Sequence, residues 1–164
     1  MQQQPDPAPT AHAGIELACF DVGGVTLAVD VARVREVARC PVMTKLPRAP
    51  SLIEGVIDLR GRVIPVIDLG RALQGAPRVD DPLARVVVIE LDGLLFGLRV
   101  GRAADVLTLP CAALEEPPAL VTQAGYQAVR AVVRRDNDTP VLVISLEHLL
   151  ERIYRSARGQ EDAA

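Results

Sequence analysis

The sequence predicts an all-β protein of two similar small lobes. Each is a curled sheet of about five short strands, and the two pack on a shared hydrophobic core with short helices. Three observations predict it. Short aliphatic and β-branched runs recur between turn signals along the whole chain, the mark of successive strands. The two halves also echo one another: "FDVGGVTLAVDVARVREV" from Phe20 overlays "IELDGLLFGLRVGRAADV" from Ile89 at a constant shift of 69 residues, and a repeated period means a repeated structural unit. Finally, 164 residues make one domain of two lobes, and a lobe of about 65 residues buries too little surface to be stable alone. The lobes must therefore share an apolar interface, and a groove runs along the join.

Taken in order, residues 1–14 read as a flexible leader, without the basic and apolar regions of a secretory signal. Residues 15–22 and 25–29 form a hairpin across Gly23-Gly24, which supplies the positive φ that tight turns need. "DVARVREVAR" fits either a short helix or a strand with a bend. Residues 55–59 and 63–67 pair across Arg60-Gly61-Arg62, and Pro65 argues for an edge position or a bulge there, because proline donates nothing to a ladder. A short helix follows Asp68 as N-cap. Residues 83–91 and 94–100 make a hairpin through Asp92-Gly93, and residues 128–135 and 139–146 another through Asp136-Asn137-Asp138. Ser145 caps the C-terminal helix, whose Leu146, Leu149, Leu150 and Ile153 share one face. Residues 155–164 read as a flexible tail, which leaves residues 15–154 as a single domain of two pseudo-repeated β lobes. Ile67-Asp68-Leu69 falls on Ile144-Ser145-Leu146 at a shift of 77, so the unit of strand, turn, strand and capped helix occurs twice.

Composition narrows the function. Apolar residues make up 49% and charged residues 24% of the chain, a globular balance. Cys19, Cys40 and Cys111 are odd in number and far apart, and the apolar company of Cys19 and Cys111 suggests buried thiols rather than a disulfide or zinc site. His12 lies in the leader and His148 on the last helix with no ligand at metal spacing. No nucleophile, base and oxyanion donor form a set, so no catalytic residue, cofactor or metal is expected. A net charge of −3 and two phenylalanines without tryptophan speak against a nucleic-acid-binding barrel, which needs stacking aromatics on a basic face. Lys45 is the only lysine, so the chain relies on arginine, the cation favoured in interface ion pairs. Gly55, Gly61 and Gly97 read as turn or close-packing positions.

The stretch "LPRAPSLIEGVIDLRGRVIPVIDLGRAL" resembles the signature of the CheW-like family of chemotaxis coupling proteins, and the likeness extends from Glu16 to Glu151. The resemblance implies two intertwined five-stranded barrels of the Src-homology-3-like kind. It implies a cytoplasmic, non-catalytic adaptor between the tips of methyl-accepting receptors and the regulatory domain of a CheA-type histidine kinase. Such a protein is recruited to membrane receptor arrays, does not insert in the membrane itself, and self-associates within the arrays. The positions matching the family's receptor-binding groove are Val34, Glu36, Arg60, Ala103 and Val106. Val100-Gly101-Arg102-Ala103 departs from the family's usual Val-Asp-x-Val, losing a carboxylate and a branched side chain. That departure suits a coupler in a pathway driving pili, gliding or development.

Overall fold

The computed structural model describes residues 14–74, 81–123, 126–135 and 139–161. The first repeat runs β1 (Gly14–Val22), β2 (Val25–Asp30), β3 (Val34–Arg39), β4 (Ile53–Leu59), β5 (Arg62–Asp68) and α1 (Leu69–Gln74). The second runs β6 (Arg85–Leu91), β7 (Leu94–Val100), β8 (Ala103–Pro110), α2 (Ala119–Gln123), β9 (Val129–Arg134), β10 (Pro140–Ile144) and α3 (Leu146–Glu161). His12 and the Asp136-Asn137-Asp138 turn lie outside the described residues.

Two five-stranded sheets result, in the orders β8-β1-β2-β10-β9 and β3-β6-β7-β5-β4. Each takes a hairpin from one repeat and three strands from the other. The lobes are thus interwoven rather than laid end to end along the chain. The repeats meet at a parallel pair in each sheet, β5 on β7 with Val66 opposite Gly97, and β10 on β2 with Val143 opposite Ala28. Those registers coincide under the sequence shifts of 77 and 69. The chain leaving each edge strand then curls back to the far edge. Thr44, beyond β3, exchanges backbone hydrogen bonds with Val56 of β4, and Glu115, beyond β8, with Val132 of β9. Each sheet is closed by this return into a small barrel.

Side-chain alternation explains the continuous apolar runs. On β1, Leu17 and Cys19 point into one barrel while Ala18, Phe20 and Val22 join the core between the barrels. On β6, Val86 and Val88 fill the other barrel while Val87, Ile89 and Leu91 face the same shared core. Strands buried on both faces must be apolar at successive residues. Leu146, Leu149 and Ile153 of α3 and Leu69 and Leu73 of α1 complete that middle layer.

Local signals account for several element ends. Asp68 Oδ1 accepts from Arg71 N–H at 3.1 Å at the start of α1. Ser145 Oγ accepts from His148 N–H at 3.3 Å at the start of α3, and the His148 ring Nδ1 lies 2.9 Å from the same oxygen. Past Tyr154 the helix continues to Glu161, through the first part of the stretch expected to fray. "DVARVREVAR" is a strand with a bend: a 3-10 turn at Val31–Arg33, whose Ala32 N–H donates to Asp30 Oδ1, leads into β3.

One expectation is narrowed and another corrected. Strand β5 is internal to its sheet, between β7 and β4, so of the two settings expected for Pro65 the edge is excluded, while the β4–β5 register is interrupted next to it, between Ile53 and Gly55, as a bulge requires. The proline is accommodated because Val56, opposite it, turns its backbone N–H and C=O to Thr44, and pairing with β7 begins only at Val66. The cysteines are thiols, but only Cys19 is buried; Cys40 is half-buried and Cys111 is exposed, in a 3-10 turn that leaves the sheet after Pro110. Burial pushes the Cys19 thiol pKa up, a shift that the nearby Arg135 partly opposes.

Candidate functional site

Three hairpins close through two-residue turns of one geometry. Their φ values are 58° and 83° at Gly23-Gly24, 52° and 83° at Arg60-Gly61, and 50° and 81° at Asp92-Gly93. Two successive positive φ angles favour Gly, Asn or Asp at the first place, because the Cβ of an L-residue crowds the next carbonyl and only a short polar side chain offsets this by local hydrogen bonding. Arg60 occupies that place at a cost of about 1 kcal/mol. Asp58 steadies the turn by accepting from Gly61 N–H at 2.9 Å. The guanidinium returns little to the fold: it is 82% exposed and lies 3.3 Å from Glu36 Oε2. Exposed pairs of this kind contribute about 0–1 kcal/mol.

Glu36 reaches Arg60 because β3 and β4 are the two edges of one sheet, and the pair bridges them. Val34, two residues earlier, is half-buried against the shared core. Val106 lies on β8, the edge strand of the other sheet, opposite Ala18, and is 58% exposed. Ala103 opens β8 opposite Phe20; its side chain lies outside the described residues. The five positions thus occupy edge strands and a turn of both barrels. The structure brings Glu36 and Arg60 into contact and sets Val106 on the pseudo-equivalent edge.

That edge carries its own acid and arginine. Asp105, which the shift of 69 places on Glu36, pairs with Arg135 at the far end of β9. The exposures are reversed: Arg60 is far more exposed than Glu36, whereas Arg135 is less exposed than Asp105. The first pair leaves its guanidinium largely in solvent, and the second largely covers it.

The glycines have steric settings. A Cβ at Gly55 would lie 2.6 Å from Thr44 O, and one at Gly97 would lie 2.6 Å from Val86 Cγ1 and 3.2 Å from Val66 Cγ2. At Gly101 it would meet Asp21 O at 2.5 Å, because Gly101 N–H donates to that oxygen and Asp21 N–H donates to Arg102 O, each at 2.8 Å.

Sequence reading missed one further polar pair. Glu54 of β4 and Arg99 of β7 are both only 8% exposed, with Nε and Oε2 3.8 Å apart. They line a cleft with Cys40, Met43 and Lys45. A single arginine in the run "LLFGLRV" is its signal, since it shares a face with Gly97.

A family model described as CheW-like domain matches residues 16–154. The chain belongs to the CheW-like family. Among CheW-like relatives, a probable chemotaxis protein CheW from Rhizobium etli is 32% identical over 144 residues, covering 87% of this chain and 91% of that one. Protein FrzA from Myxococcus xanthus is also 32% identical, over 155 residues, covering 93% and 97% of the two chains. The crystal structure of the scaffolding protein TtCheW from Thermoanaerobacter tengcongensis matches with a TM-score of 0.74 at 29% identity, covering 91% of this chain and 92% of that one. The protein is thus of the CheW chemotaxis scaffold type. Among the described residues no helix is long and apolar enough to cross a membrane.

Proposed function

We propose that the protein is a non-catalytic adaptor that couples methyl-accepting receptors to a CheA-type histidine kinase, with the receptor tip held along Val34, Glu36, Arg60, Ala103 and Val106. One observation carries the reading: an exposed arginine occupies a left-handed turn position where it costs stability and returns almost none. A side chain kept against the fold's interest is explained by what it holds. In a partly desolvated groove a guanidinium binding a carboxylate through two hydrogen bonds contributes about 2 kcal/mol or more. The membership of the family and the likeness to a scaffolding protein support the same reading.

The test is co-purification of the full chain with a soluble receptor-tip fragment and a CheA-type regulatory domain. Wild type should retain both through a salt wash, and Arg60→Glu should fold normally but lose the receptor fragment. Retention of the fragment by a well-folded Arg60→Glu chain overturns the assignment. The equal identity to Protein FrzA, a relative not named for chemotaxis, favours a second reading in which the output is other than flagellar, such as pili, gliding or development. A deletion strain with intact swimming but altered surface movement distinguishes it.

A further inference from the structure

The repeat supplies an internal control for the ends of the barrels. The barrel built from β3, β6, β7, β5 and β4 has its own apolar interior, which includes Ile64 and Val88. At one end this interior opens in a cleft of about 460 Å³ floored by Ile64, Val88 and Leu95. Arg35, Arg60 and Arg62 line it together with Glu36 and Glu90. Glu36 pairs with Arg60, and Glu90 with Arg35. Arg62, exposed at the start of β5, makes no ion pair among the described residues. Three guanidinium groups against two carboxylates leave the mouth with one positive charge beside an apolar floor.

Among the described residues the twin barrel differs at this end. The shifts of 69 and 77 place Ala104 on Arg35, Thr26 on Leu95 and Thr139 on Arg62, while the acids remain as Asp105 and Asp21. The registers bear the overlay out: Asp21 stands opposite Thr26 in β1–β2 as Glu90 stands opposite Leu95 in β6–β7. The twin barrel therefore carries at this end a single arginine among the described residues, Arg135, held on Asp105 and close to the buried Cys19, where the first barrel carries three. The two additional guanidinium groups of the first mouth are thus not needed to close a barrel of this kind.

We infer that this mouth is a specificity pocket of the coupling site, seating an apolar side chain of the receptor tip on Ile64, Val88 and Leu95 while Arg62 binds a carboxylate beside it. The inference rests on the coupling function proposed above. Continuity decides the occupant: Arg60 and Glu36 belong both to the groove and to the mouth, so a tip lying against Arg60 reaches the pocket. Arg62 and Leu95 then select among receptor tips, and Arg60 holds whichever tip is seated.

The experiment is titration calorimetry of the full chain against a soluble receptor-tip fragment and, separately, a CheA-type regulatory-domain fragment, at two salt concentrations. Arg62→Thr and Leu95→Thr install the residues that the twin barrel carries. Arg62→Thr should weaken receptor-fragment binding about ten-fold or more and flatten its salt dependence. Leu95→Thr should weaken it with the salt dependence unchanged. Kinase-fragment binding should not move. Wild-type receptor binding that both variants preserve overturns the pocket and leaves the coupling function standing. A loss confined to the kinase fragment, or a change only in the self-association of the chain, overturns the receptor as occupant. Failure of the wild type to bind either fragment overturns the coupling function and the pocket together.

Discussion

Arg60 separates two roles that usually coincide in one side chain. Its backbone pays a left-handed penalty and its side chain gains little from Glu36, so replacing it should help the fold. Arg60→Asn should leave stability unchanged or raise it by up to about 1 kcal/mol, read from denaturant midpoints, because asparagine tolerates the left-handed region. The same substitution should weaken receptor capture. Loss of both stability and capture would make the arginine structural. This turn was legible in sequence because positive φ is announced by the Gly beside it, a purely local signal. The exposure of Cys111 was not legible, since "LPCAAL" is apolar and only the end of β8 decides that the chain leaves the barrel there.

At the scale of elements, β1 and the link from β7 to β8 make a close join. Gly101→Asp should destabilise the protein by about 1–3 kcal/mol, measured by chemical denaturation, because its Cβ has no room against Asp21 O. An unchanged midpoint would show that the link can move. The buried pair across the second sheet predicts non-additivity. Removing either partner alone, by Glu54→Leu or Arg99→Met, should cost about 3–5 kcal/mol, while the double variant should recover most of the loss. Additive losses in a double-mutant cycle would show that the two charges do not depend on each other. Capped helices and Gly-marked hairpins were readable from residues within a few places of one another. The Glu54–Arg99 pairing was not, because it joins strands 45 positions apart and depends on a register that no neighbouring residue encodes. Pro65 signalled the irregularity in the β4–β5 ladder but not its partner: its ladder vacancy is absorbed by Thr44, which meets β4 from outside the strand.

For the whole molecule, the duplication and the count of five strands per sheet were legible, because a repeat of 69 residues with matched turns survives in the sequence. The exchange of strands between repeats could not be read from composition or periodicity; an interwoven pair and a tandem pair of barrels bury the same residues. The exchange predicts that the chain split between α1 and β6 yields two halves that are each unfolded by circular dichroism, whereas mixing them restores β signal and cooperative melting. A half that folds alone would contradict the interweaving. Such a body is also indivisible in heredity. Fusion at either terminus would leave both sheets whole, whereas recombination at the midpoint would part strands that complete each other's sheets.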